Sequence, residues 1–295
     1  RRAGEMSGRS LALVAAAVAL QAGLSVHGMR GHSATFDEGA HLPAGYTHLA
    51  LGDHRLNPEQ PPLVKLLAAA PLLAVRPVLK TDARSWAAAR QWEFGQSFLY
   101  RWNDADRLLS LGRLPIVALA SCLLVAVFAV ALRLFGPGAA AAALALAALS
   151  PDVLAHGSLV TTDLGFALFF FLSVVTFARA LDEPTPFRLA AAGLATGAAF
   201  ATKFSAPILV PVFLVLGLLA RRPRRLATAF AVTGVVALLV VWASYGFRPA
   251  LSPDPVVRAT LRAPLEAPGS GLLPRGVVAA GNAGLVPEDY ARGLL

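Results

Sequence analysis

The chain has 295 residues, 56% of them hydrophobic and 15% charged, and its mean hydropathy is +0.62. Soluble domains carry about 25% charged and roughly 45–50% apolar residues, so the composition excludes a soluble globular domain, a disordered tail and a collagen-like chain. The single cysteine, Cys122, excludes a disulfide framework and a cysteine-based zinc site. The net charge of +9 is spread along the chain as scattered Arg, with no basic stripe of interleaved aromatics. That pattern argues against a nucleic-acid partner.

The apolar residues fall in blocks long enough to cross a bilayer as helices. Seven segments are predicted, at about 11–29, 114–132, 137–150, 164–180, 189–202, 204–220 and 226–246. The fold class is therefore all-α, a polytopic transmembrane bundle of about seven spans. The third and fifth segments are short and Ala/Gly-rich, as suits helices packed inside a bundle. The first is read as an uncleaved anchor, although Arg1, Arg2 and Arg9 before an apolar run also fit a signal peptide. Arg1, Arg2 and Arg9, then Arg133, then Arg179 and Arg188, then Arg221, Arg222, Arg224 and Arg225 all fall on one side if the N-terminus is cytoplasmic and every segment spans. All acids except Glu5, Asp182 and Glu183 then lie outside, with all six histidines at or beyond the outer face. Any chemistry is expected there.

The first outer loop, 30–113, is expected to carry interfacial helices. Residues 61–75, PPLVKLLAAAPLLAV, are too short to span and read as one re-entrant or interfacial helix. Residues 83–111 hold Trp86, Trp92, Phe94, Phe98, Tyr100 and Trp102, a density expected at the headgroup level. Asp37 and Glu38 follow the first span directly. Adjacent carboxylates on a helix cannot both face one cavity, and Asp37, His41 and His48 would share a face. The alternative is that Ser33 or Thr35 caps a helix and the acids favour its N-terminal dipole. Lys65 follows a proline-rich turn around Glu59 and Gln60, and either binds a lipid phosphate or snorkels to the headgroups. Asp163 opens the fourth span, where an acid also stabilises a helix start. Lys203, flanked by apolar runs, is expected to pair or to bind an anion.

Four stretches, FDEGAH, NPEQPPLVK, SPDVLAHGSLVTTD and GLATGAAFATKF, occur in this order and on these sides. The chain so resembles bacterial relatives of the dolichyl-phosphate-mannose protein mannosyltransferases, which include the lipid A aminoarabinose transferase. These are integral-membrane C-type glycosyltransferases. The resemblance implies that 1–295 is an N-terminal transmembrane catalytic module, and the chain is expected to be part of a longer one. It implies sugar transfer from a polyprenyl-phosphate donor to an acceptor on the outer face of a bacterial inner membrane. The catalytic carboxylates it implies match Asp37, Glu38 and Asp163, with Asp37 as base, and the lysine after the proline pair matches Lys65. Gln60 stands where many relatives have His, which puts any role of that His in doubt.

The mechanism expected is direct displacement with inversion by an acceptor hydroxyl. Lys65, Arg55 and Lys203 are the candidate phosphate-binding residues. His41, His48, Glu59 and His156 are candidates for lining the acceptor cavity. No cofactor is required. Five histidines between 27 and 54 with Asp37 and Glu38 would supply zinc ligands, but their spacing matches no strong metal motif. The partners expected are the bilayer, the lipid-linked donor, and a protein, lipid A or envelope polysaccharide acceptor. A transporter of lipid-linked sugars and a non-catalytic scaffold are the alternatives; no internal repeat of the kind transporters show is visible.

Overall fold

A computed structural model describes residues 8–248, 252–256, 259 and 272–295. Arg1, Arg2 and Glu5, used above for orientation, lie outside the described residues. Every regular element among the described residues is a helix. The chain is a multi-pass membrane protein. Four helices are long and apolar enough to cross a membrane: α1 (Gly8–Gly28), α7 (Ala105–Phe135), α10 (Asp163–Asp182) and α13 (Pro223–Ser244). Between α1 and α7 lie the short helices α2 (Glu38–Leu51), α3 (Leu63–Ala69), α4 (Leu72–Val75), α5 (Arg84–Ala87) and α6 (Gln91–Gln96), followed by a π-helical turn, Ser97–Arg101.

The three remaining apolar segments are also helical, as α8 (Pro137–Ala148), α11 (Pro186–Phe200) and α12 (Leu209–Ala220). They hold 12, 15 and 12 residues. At 1.5 Å per residue they reach only about 18–23 Å, short of the roughly 30 Å hydrocarbon core. Prolines explain two of these limits. Pro137 and Pro186 start α8 and α11 at the first helical positions, where a missing N–H costs nothing. The short helix α9 (Pro151–His156) follows α8, and α14 (Leu272–Asn282) and α15 (Glu288–Gly293) end the chain.

Two packed groups build the membrane part. In one, α1, α7 and α8 bury Leu124, Phe128, Ala140 and Leu144. There Gln21, fully buried, accepts from the Ser121 hydroxyl at 3.1 Å and donates to Ser25 at 3.0 Å. Such polar pairs hold helices together where lipid gives no hydrophobic drive. In the other, Phe177 of α10 stacks on Phe213 of α12 at 3.8 Å, with Phe230 of α13 edge-on. Gly193 and Gly197 let α11 lie against α13: a Cβ at these positions would come within 2.4 Å of Val236 and 2.5 Å of Val240.

Both groups present one end rich in arginine. The Arg222 and Arg225 guanidiniums donate to the Asp182 carbonyl, and Arg188 pairs with Glu183 at 2.8 Å. The opposite end carries the 29–104 segment as a folded cap. Phe94, Phe98 and Leu99 are fully buried there with Leu42 and Leu56, and Trp86 is nearly so. The sequence expectation placed these aromatics at the headgroup level; instead they form the core of the cap. Only Trp92 and Tyr100 of this group are substantially exposed. The single helix expected over 61–75 is likewise broken at Ala70–Pro71, and Arg76 ends it with a positive φ of 48°.

Candidate active site

The cap, the N-terminus of α10 and the loop after α11 enclose an open polar cavity of about 250 Å³. Asp37, Asp163 and Lys203 line it together, with Glu59, Gln91 and Trp92 on the cap side. Topology brings them there. Asp37 immediately precedes α2, Asp163 is the first residue of α10, and Lys203 follows the last turn of α11. The positive end of the α10 dipole therefore faces the cavity.

The two adjacent carboxylates have opposite fates. Asp37 is exposed, and its carboxylate makes no hydrogen bond to another described residue. Glu38 is fully buried and held by Arg113 of α7, with Nε at 2.8 Å from Oε1 and Nη2 at 2.7 Å from Oε2. Arg113 also donates to the carbonyls of Met29, His32 and Ser33. The Glu38 carboxylate accepts further from the Thr35 and Val160 amides, both at 2.9 Å. Burial pushes the Glu38 carboxyl up, but Arg113 and the two amides outweigh it and hold the group below its ordinary range. The Thr35 pairing is the back-reaching half of a capping box, S/T-x-x-E, so that part of the alternative reading of the acids describes Glu38. Through Val160 the same carboxylate fixes the loop that leads into Asp163.

Asp163 pairs with Lys203 at 2.6 Å, and His156 stands 4.0 Å from its other oxygen. Both members of the lysine pair are part-exposed at the cavity. His41 also lines the cavity; its Nδ1 lies 3.0 Å from the Val160 carbonyl. Burial, and then the charge of Lys65, push its pKa down, so the ring is neutral near pH 7. On the cap side Asn57, Glu59 and Gln91 bond one another: Asn57 Nδ2 to Glu59 and to Gln91 at 3.2 and 3.0 Å, Gln91 Nε2 to Glu59 at 2.8 Å. Phe36 and Trp92 stack at 4.0 Å on the same rim.

Three residues expected at the cavity lie elsewhere. Lys65 is 1% exposed beneath the cavity wall, with its ammonium bound to Asn57 and Gln60. Arg55 is buried in an ion pair with Asp53 at 2.7 Å and lies over the Trp86 ring. His48 is stacked on His54 at 4.2 Å in a small chamber below. No group of three or more His, Cys, Asp and Glu among the described residues is placed to hold a metal. Sequence reasoning missed Arg113, Asn57, Gln91 and the Phe36–Trp92 stack. A charge at the end of an apolar block marked Arg113; nothing comparable marked the others.

Beside the cavity, across the 201–208 segment, α11, α12 and α13 leave an apolar groove of about 300 Å³. Phe200, Phe213 and Val241 line it, and Tyr290 and Leu294 lie at its outer part.

This fold is that of a membrane-embedded helical protein with a polar cavity at one end beside an apolar groove. Residues 109–245, just under half of the chain, match the family model of the dolichyl-phosphate-mannose-protein mannosyltransferases, which supports assigning the chain to that family of membrane glycosyltransferases. The matched stretch includes Arg113, Asp163 and Lys203 and ends at Tyr245. No curated protein and no solved structure matches the chain.

Proposed function

We propose that the chain is the catalytic module of a glycosyltransferase that moves a sugar from a polyprenyl phosphate to an acceptor hydroxyl on the extracytoplasmic face of a bacterial inner membrane. The observation that carries this reading is the meeting of Asp37, Asp163 and Lys203 at one open cavity, at the end of the bundle opposite the cluster of Arg188, Arg222 and Arg225. Asp37 is exposed and its carboxylate makes no hydrogen bond or ion pair with another described residue, so its oxygens are available to an acceptor hydroxyl. It takes the proton as that hydroxyl attacks the anomeric carbon, a step that general bases typically accelerate by about 10²–10⁴-fold. The bond to the phosphate oxygen breaks on the opposite face, giving inversion.

The departing phosphate gains charge and needs a cation near it. Lys203 is the cation that lines the cavity, and its partner Asp163 holds it in place. The N-terminus of α10 adds its dipole. The polyprenyl tail occupies the apolar groove beside the 201–208 segment. Glu38 serves by position: Arg113 and two amides occupy its carboxylate, and that clamp sets Asp37 against the loop of Asp163. Feeding a radiolabelled polyprenyl-phosphate sugar to the purified full-length protein tests the reading. Transfer or hydrolysis supports it; movement across a bilayer without chemistry indicates a transporter, and neither indicates a scaffold.

A further inference from the structure

Beneath the cavity lies a small chamber of about 10 Å³, room for a single water. Asn57 and Gln60 line both spaces, so the turn they bound is the wall between them. Lys65 stands on the chamber side of that wall. Its ammonium donates to the Asn57 carbonyl at 2.7 Å, the Asn57 Oδ1 at 3.0 Å and the Gln60 carbonyl at 2.7 Å. An ammonium has three N–H donors, so this set is complete.

The consequence reaches the cavity through one amide. Because Lys65 takes the side-chain oxygen of Asn57, the amide nitrogen must point the other way. There it donates to Glu59 and Gln91 on the cavity wall. Asn57 itself sits at φ 53°, a left-handed conformation that costs a non-glycine residue energy and needs surrounding contacts to persist. Lys65 is carried to this place by α3, whose backbone lies so close to α2 that a Cβ on Gly45 would fall 2.1 Å from the Lys65 carbonyl oxygen.

We propose that Lys65 is a positioning residue for the sugar-transfer cavity: from behind, it locks the Asn57–Gln60 turn and so presents Asn57, Glu59 and Gln91 as one preset hydrogen-bonding wall for the hydroxyls of a sugar ring. This rests on the glycosyltransferase reading and differs from a lysine that grips the donor phosphate. The groups facing the ammonium are His48 of α2, His54, Glu59, Tyr245 after α13 and Asp289 of α15, with His41 farther along α2. Burial pushes the Lys65 amine down to about 7 and the His54 ring down to about 3. Burial pushes the His48 ring well down as well, and raises the Asp289 carboxyl and Tyr245 hydroxyl well above their ordinary values. Above neutral pH the lock loses one donor and its charge.

The test uses the full chain in lipid nanodiscs, with Lys65→Met, Lys65→Arg and Asn57→Gly. It reads kcat, binding of a radiolabelled polyprenyl phosphate, and amide exchange of the 57–60 segment. Misplacing a binding group by about 1 Å costs on the order of 10²-fold in rate, so Lys65→Met is expected to lose about 10²-fold in kcat while phosphate binding stays within about threefold. Exchange at 57–60 rises and that of α10 does not. Wild-type kcat falls as pH rises through about 7, a decline that persists in Asp289→Asn and is absent in Lys65→Arg. Weakened phosphate binding with unchanged kcat and exchange would overturn the proposal, as would three unchanged readings. If Lys65→Met does not fold, Asn57→Gly decides: unchanged kcat in that variant also overturns it. If the wild type shows no transfer, the glycosyltransferase reading fails by itself, and amide exchange still reports whether Lys65 holds the turn.

Discussion

Arg113→Met keeps an unbranched apolar stem and removes the guanidinium and its charge from the centre of the outer assembly. Arg113 is 1% exposed and its partner Glu38 is fully buried. The guanidinium makes two bonds to the carboxylate and donates to three carbonyls between Met29 and Ser33. Without it Glu38 keeps only Thr35 and the Val160 amide, and a buried carboxylate loses its counter-charge. Breaking a buried pair from one side costs about 3–5 kcal/mol. At roughly 2–4 °C per kcal/mol for a chain of this order of size, thermal unfolding in detergent should begin on the order of 10 °C lower. Glu38→Gln added to Arg113→Met removes the stranded charge, so the double variant should recover part of the loss, with a coupling of about 0.5–3 kcal/mol. Acid acts on the same pair. The Glu38 carboxyl is held below its ordinary value, so its contribution is fully present above the ordinary range and is lost as pH falls through the lowered value. An Arg113→Met protein as stable as the wild type, or a double variant no better than the single one, would refute the clamp.

Other outcomes follow from the same geometry. Lys203→Ala should lower kcat more than it weakens acceptor binding, because its charge is needed as the phosphate departs; steady-state kinetics with both substrates would show it. Gly45→Ala forces a Cβ against the Lys65 backbone, so helices α2 and α3 must separate, and a measurable loss of thermal stability is expected. On a Cys122→Ser background, Asp106→Cys should react with a membrane-impermeant thiol reagent in intact cells and Arg224→Cys should not. The reverse labelling would invert every side assignment.

The long helices α1, α7, α10 and α13 were legible because a bilayer demands uninterrupted apolar length, and the return of the chain through α8 and α9 brings Asp163 to the end that holds Asp37. Three blocks that read as spans are shorter helices, since apolar composition registers environment and not where a helix stops. Which of Asp37 and Glu38 faces the cavity was not legible. Adjacent residues differ by about 100° around a helix, and the choice is made by Arg113, 75 residues away, and by the Val160 amide. The aromatics of 83–111 misled for a related reason. Trp and Phe suit a headgroup layer and a small core equally, and only the fold of the cap places Phe94 and Phe98 inside. Lys65 looked like a surface cation because nothing local announces that the carbonyls of a proline-rich turn will converge on it.

The central claim is that Asp37 performs chemistry in a cavity shared with Asp163. Replacing Asp37 by Asn keeps its size and leaves the clamp on Glu38 intact. The decisive measurement is turnover of a radiolabelled polyprenyl-phosphate sugar by full-length Asp37→Asn, alongside its donor binding and thermal stability. The account predicts a rate lowered by about 10²–10⁴-fold with binding and stability retained. Turnover above about a tenth of the wild-type rate would be too small a loss for a general base and would contradict it.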